Sequence, residues 1–167
     1  MPEALDIAVL TVSDSRTRDN DASGQYLCEV LKENGHNLVG YEIERDDLYL
    51  LRARVSIWIA SPEVEVILIT GGTGFTSRDS TPEAIEPLLD SRIDGFGELF
   101  RAVSYEEIGT STLQSRAVGG MANGTLVFCI PGSPGACKTA WLKILKDQLD
   151  INHRPCNFAE LIKKGSH

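Results

Sequence analysis

The chain predicts an α/β fold, a three-layer α/β/α arrangement with a mainly parallel sheet and a small hairpin. Two observations predict it. Apolar, β-branched runs of strand length at residues 5–11, 64–70 and 125–130 alternate with segments of helical periodicity. Each of these runs also ends in a loop rich in glycine, serine or aspartate, where open α/β sheets place their ligands.

Residues 5–11 read as a strand buried on both faces, followed by a polar loop over 13–21. A helix is expected over 23–34, with Tyr26, Leu27, Val30 and Leu31 on one face and Gly35 as its stop. A second strand follows at 38–43. Asp46 and Asp47 open a second helix with a face of Leu48, Leu51, Val55, Trp58 and Ile59, and Pro62 lies just past its end. The third strand, 64–70, feeds a glycine turn. Strands alternating with helices in this way imply parallel pairing through right-handed crossovers. Further helices are expected at 81–89, 97–107 and 112–117. Gly119-Gly120 and Asn123-Gly124 read as turn signals, the latter for a short hairpin beside the sheet. After the strand at 125–130, Pro131-Gly132-Ser133-Pro134-Gly135 leads into a helix over 136–149, and a last helix covers 158–163.

At 167 residues the chain suits a single domain, 1–167, and Gly165-Ser166-His167 is read as a cloning remnant without a role. The net charge of −8 argues against nucleic acid or anionic membrane as a partner, so an anionic ligand must be held by local groups. No apolar run reaches the length of a membrane span, and no leader pattern precedes the first strand. Cys28, Cys129, Cys137 and Cys156 are too scattered for a disulfide scaffold or a zinc site and read as small buried hydrophobes. A cytoplasmic location is expected.

The densest chemistry lies in Thr70-Gly71-Gly72-Thr73-Gly74-Phe75-Thr76-Ser77-Arg78-Asp79-Ser80-Thr81-Pro82. Glycines let the backbone approach a phosphate and adopt positive φ, so that successive N–H groups converge on one anion. The following helix, with Thr81 as N-cap and Pro82 in its first turn, adds unpaired N–H groups. Asp79 would repel a phosphate unless a cation such as Mg²⁺ lay between them. In a parallel sheet this loop shares a rim with loop 13–21, with Asp46 and with 131–135. Asp46 can be read as a helix cap or as a second carboxylate of the site, and Asp47 is the alternative partner of Asp79. Gly132-Ser133-Pro134-Gly135-Ala136-Cys137-Lys138-Thr139 falls short of the nucleoside-triphosphate P-loop, because Cys137 replaces the glycine before Lys-Thr. Arg16, Arg18, Arg78 and Arg116 are candidate phosphate contacts or solvated loop residues. Trp58 and Trp141 sit on apolar helix faces and read as core or subunit interface.

These motifs, with the Asp46-Asp47 pair, resemble the molybdopterin-binding MoaB/MogA family of molybdenum cofactor biosynthesis, a fold also found in gephyrin. Segments 95–101, 106–117 and 154–158 are most similar to its MoaB branch. The resemblance implies transfer of AMP from Mg-ATP to the terminal phosphate of molybdopterin, with release of pyrophosphate. A non-catalytic molybdopterin-binding or channelling protein is the alternative it leaves open. It implies that Asp46 and Asp79 act in catalysis and position Mg²⁺. By the same resemblance Ser13, Gly71, Gly72, Thr73, Gly74, Arg78, Ser115, Arg116, Pro131, Gly132 and Ser133 would bind the ligands. It further implies a homo-oligomer, a trimer or a dimer of trimers. The apolar residues Ile57, Trp58 and Ile59, with Phe96, Leu99 and Phe100, are expected to supply that contact.

Overall fold

Three strands made almost wholly of buried residues lie side by side: β1 (Asp6–Val12), β3 (Val66–Thr70) and β6 (Thr125–Ile130). The structure, a computed structural model, describes residues 3–164, and the expectation for 165–167 lies outside the described residues. With β2 (Asn37–Glu44), β4 (Ser91–Arg92) and β5 (Val118–Ala122) they form one six-stranded sheet in the order β2-β1-β3-β6-β5-β4. The pairs β1–β2, β1–β3 and β3–β6 are parallel, while β5 runs antiparallel to β6 and β4 antiparallel to β5.

Because successive strand residues face opposite ways, the central strands feed two cores. Ile7, Val9, Val66, Leu68, Leu126 and Phe128 meet α1 (Ala22–Glu33), α4 (Asp94–Ile108) and α5 (Pro134–Ala140) on one side. Ala8, Leu10, Val12, Ile67, Ile69 and Val127 meet α2 (Leu48–Ala60) and α3 (Thr81–Ile85) on the other. That is the expected three-layer arrangement. The hairpin is present too: Asn123, with φ 51°, and Gly124, with φ 76°, make the turn between β5 and β6.

Several local expectations are corrected. Gly119 and Gly120 lie inside β5 rather than in a turn. A Cβ on Gly119 would stand 3.0 Å from both Phe128 and Phe96, and one on Gly120 would stand 2.5 Å from Leu89. The glycines serve close packing within the sheet, between β6 and β4. Residues 112–117 are not a helix of their own, since a 3₁₀ turn spans Gly109–Gln114 and the chain then extends into β5. The helix expected over 81–89 stops at Ile85 and tightens into a 3₁₀ turn at Glu86–Leu88. The long helix after 134 changes pitch to a π-turn at Trp141–Leu145 before α6 (Lys146–Gln148), and the last helix, α7, covers Phe158–Lys164. Strand β4 carries no alternating pattern and went unseen. Phe96 and Phe100 are 3% and 1% exposed, so they belong to the core and not to an outer contact; Leu99 alone of that group is open, at 47%. Trp58 and Trp141 are buried as well.

His36 ties the start of the chain to the turn between α1 and β2. Its Nδ1 accepts the Leu5 N–H at 3.1 Å, and burial holds its pKa below the ordinary value. A protonated Nδ1 could not accept that bond. The stabilisation is therefore complete above about pH 6.5 and is lost as the pH falls through the lower folded-state value. Melting curves taken from roughly pH 8 to pH 5 should fall more steeply for the native chain than for His36→Gln.

Candidate active site

The carboxyl ends of β1, β3 and β6 and the β2–α2 corner gather the predicted loops on one rim. Gly71 and Gly72 have φ of 107° and 69°, so the turn after β3 needs glycine at both positions. Gly71 donates its N–H to Ile130 O at 2.9 Å, and Thr70 Oγ1 donates to Pro131 O at 3.0 Å, which ties the glycine loop to the 131–135 loop. Thr81 is not the N-cap. That position falls to Ser80, without a side-chain cap bond, while Thr81 Oγ1 donates to Gly71 O at 2.8 Å and Thr81 N–H to Gly72 O at 3.0 Å.

Asp46 and Asp47 divide their work cleanly. Asp47 caps α2 by accepting from Tyr49 N at 3.0 Å and Leu50 N at 2.9 Å. Asp46, only 7% exposed, turns inward, and its Oδ1 accepts both the N–H and the hydroxyl of Ser80. Burial pushes its carboxyl pKa up, the Ser80 bonds pull it down, and the nearby Asp79 and Asp14 charges raise it further. Asp79 is more open; its Oδ2 accepts from Thr76 N at 2.9 Å and Thr76 Oγ1 at 2.7 Å. Among the described residues neither Asp46 Oδ2 nor Asp79 Oδ1 accepts a hydrogen bond. A Cβ on Gly72 would stand 2.8 Å from Asp46 Oδ2, and one on Gly74 would stand 2.8 Å from Asp79 Oδ2. The glycine turn thus packs directly against both carboxylates, with no room for a side chain at Gly72 or Gly74.

The predicted arginines are already committed. Arg116 donates to Gly74 O from Nε at 2.9 Å and from Nη2 at 2.6 Å, and to Asp79 O at 3.0 Å; it pairs with Glu83 and stacks 4.9 Å from the Phe75 ring centroid. It is a strut that fixes the glycine loop. Arg78 makes a two-pronged contact with Asp14. Arg16 bonds Asn20 O at 2.9 Å, and Arg18 bonds Tyr41 O at 2.7 Å while lying over the Tyr41 ring. Ser13 Oγ accepts from Ser15 N and Arg16 N, shaping its own loop, and Ser133 caps α5 by accepting from Ala136 N at 3.1 Å. Thr73 is buried and its carbonyl accepts the Arg116 N–H. Gly132 lies where a Cβ would come within 3.2 Å of Gly71 Cα.

Ser115 opens a different quarter of the rim. Its Oγ is buried and has no partner among the described residues. It lines a cavity of about 500 Å³ with Glu83, Glu86, Arg92, Arg101 and Arg116. Ser115 and Arg116 connect this space to the glycine loop. Sequence reasoning missed Asp14 and Ser80. Asp14 follows Ser13 at the end of a buried strand, and that position was the available signal; nothing local marks Ser80 as the partner of Asp46, 34 residues away.

An α/β ligand-binding domain with a glycine turn packed against two carboxylates is the class these features define. Residues 8–151 match the family described as "Probable molybdopterin binding domain". The chain is 56% identical over 158 residues to "Molybdenum cofactor biosynthesis protein B" of Escherichia coli strain K12, covering 95% of this chain and 93% of that protein. A crystal structure of a molybdenum cofactor biosynthesis protein B superposes with a TM-score of 0.87 at 42% identity, over 100% of this chain and 98% of the other. The tungsten cofactor synthesizing protein MoaB from Pyrococcus furiosus gives 0.82 at 35% identity, over the full length of both chains. The chain belongs to the MoaB/MogA family of molybdopterin-binding proteins.

Gly72→Val should destabilise the fold by about 1–3 kcal/mol, because a side chain there meets both positive φ and the Thr81 hydroxyl. The added Cβ would lie 2.2 Å from Thr81 Oγ1. Chemical denaturation beside Gly135→Ala, where a Cβ meets nothing within 4 Å, checks it.

Proposed function

We propose that the chain acts in molybdenum cofactor biosynthesis by binding molybdopterin and transferring AMP from Mg-ATP to its terminal phosphate. The observation that carries this reading is the pair Asp46 and Asp79, both packed against the same glycine turn and each with one carboxylate oxygen, Asp46 Oδ2 and Asp79 Oδ1, that accepts no hydrogen bond among the described residues. Free hard oxygens on two carboxylates fit Mg²⁺, which is usually held by one or two carboxylates together with substrate phosphates. The ion, when bound, supplies charge neutralisation on the polyphosphate.

The remaining roles fall to the chain itself. Asp46 and Asp79 hold the cation, Asp46 fixed by Ser80 and Asp79 by Thr76. The backbone N–H groups of Gly72, Thr73 and Gly74 orient phosphate oxygens, while Gly71, its own N–H taken by Ile130 O, shapes the turn, and Arg78 offers a guanidinium at the edge of the loop. Ser115 Oγ, buried without a partner, is available to a polar group of molybdopterin reaching in from the adjoining cavity, with Arg116 beside it, and Ser13, Pro131, Gly132 and Ser133 border the remaining side. An oxygen of the molybdopterin terminal phosphate attacks the α-phosphorus of ATP; the bond from that phosphorus to the bridging oxygen breaks and pyrophosphate departs. Alignment and charge neutralisation suffice, without a covalent nucleophile on the protein.

Asp79→Asn and Asp46→Asn should each cut the formation of adenylylated molybdopterin by at least about a hundredfold in a folded protein, since an amide holds a hard cation poorly. Product and pyrophosphate are measured after mixing protein, Mg-ATP and molybdopterin. Molybdopterin binding without any product from the native chain would favour the alternative, a protein that holds or passes on the ligand.

The reading includes a homo-oligomer in the cytoplasm, a trimer or a dimer of trimers. Its support is the outer face of α2, where Tyr49, Leu50 and Ile57 are 72%, 37% and 62% exposed and Ala53 and Ala60 lie between and beyond them. An uncharged stripe of this kind commonly marks a contact. Light scattering should give a multimer for the native chain and a smaller species for Ile57→Glu.

A further inference from the structure

Arg78 and Asp14 are 64 residues apart in sequence and meet across the rim in a fork, Nε to Oδ2 at 3.0 Å and Nη2 to Oδ1 at 2.8 Å. Their side chains are 63% and 43% exposed, so packing does not force the contact. Asp14 Oδ1 also accepts the Asp46 N–H at 3.1 Å, which places this carboxylate directly beside the proposed catalytic pair. A guanidinium presents the same two parallel donors to a phosphate as to a carboxylate. Asp14 therefore occupies on Arg78 the places that two phosphoryl oxygens would take. Among the described residues the Arg78 guanidinium has no other hydrogen-bond partner. The contrast with Arg116 is plain: that side chain is 24% exposed and bound to two backbone carbonyls and Glu83, an arrangement a ligand would not displace.

We infer that Asp14 is a specificity-determining residue of the rim, an internal stand-in for a ligand phosphate that holds Arg78 until a polyphosphate displaces it. The inference rests on the reading of this rim as a phosphate site. An exposed ion pair is weak, so a polyphosphate that also engages the glycine turn and a cation wins the exchange. A lone carboxylate or monoanion brings none of those further contacts and does not. The carboxylate thus screens out small anions at the mouth of the site and keeps the guanidinium oriented while it is empty.

The test is calorimetric binding of Mg-ATP, without molybdopterin so that nothing turns over, to the native chain, Asp14→Asn, Arg78→Ala and the double variant. Asparagine keeps an oxygen for the Asp46 N–H and removes the charge; Asp14→Ser repeats the comparison should the first variant fold poorly by melting curve. Asp14→Asn should bind about two- to fivefold tighter, the range of an exposed ion pair, and Arg78→Ala should bind more weakly. The gain from Asp14→Asn should vanish when Arg78 is alanine. A gain of equal size with and without Arg78 would reduce the effect to long-range charge and overturn the inference, as would no gain in the native background. Absence of Mg-ATP binding by every form would overturn the phosphate-site reading itself and the inference with it.

Discussion

The passage of Gly71 between the ends of β1 and β6 is the constraint on which the rim depends. A Cβ at Gly71 would stand 2.3 Å from Val12 O, while its N–H bonds Ile130 O at 2.9 Å on the other side. Its carbonyl accepts the Thr81 hydroxyl, which sets where α3 begins. That places Ser80 against Asp46; the Asp46 N–H in turn meets Asp14, and Asp14 meets Arg78. The loops are closed into a circuit of short bonds, so a change at one glycine is felt at a carboxylate from a different strand. Arg116 braces the circuit from outside through Gly74 O and Asp79 O.

Charge at this rim is arranged in graded burial. Deepest is Asp21, fully buried, which accepts from Thr11 Oγ1 at 2.6 Å, Tyr41 Oη at 2.5 Å and Gly24 N at 3.0 Å. Three donors at a helix start offset the cost of burying that carboxylate without a cation. Burial and the Asp21 bond hold the Tyr41 phenol protonated, well above its ordinary range. Asp46 is intermediate and retains a free oxygen. Asp14 lies outermost, and the Arg78 guanidinium keeps its carboxyl below the usual range. A rigid inner carboxylate and more exposed outer ones give the rim a fixed floor and an adjustable mouth.

The layers were legible in the sequence because β1, β3 and β6 are apolar on both faces, a pattern that only a covered parallel sheet explains. The glycine turn, Asp46 and Asp79 were legible as residues that a parallel sheet would bring to one rim, and the structure brings them together there. What escaped lacks a local signature. Strand β4 is two residues long, and Gly119-Gly120 has the composition of a turn although Phe96, Phe128 and Leu89 demand glycine there. Phe96 and Phe100 looked outward-facing because Phe128, whose ring centroid lies 4.8 Å from that of Phe96, comes from a distant strand, and Phe100 packs in the same core against Phe96. The pairings Asp14–Arg78, Asp46–Ser80 and Glu83–Arg116 bridge 64, 34 and 33 residues, and no spacing rule reaches that far.

The brevity of β4 has a consequence for how the molecule behaves in a crowded solution. A sheet whose middle is nearly all aliphatic is a hazard if its margins can recruit strands from other molecules. On one margin β4 offers only Ser91 and Arg92, and Arg92 is held by Glu86 and Asp94 on either side. On the other, β2 is eight residues long, but Arg18 takes the Tyr41 carbonyl and pairs with Glu42. One margin is too short to template a strand, and the other carries an arginine on one of its outer carbonyls and a charged pair beside it, both devices that discourage edge-to-edge pairing.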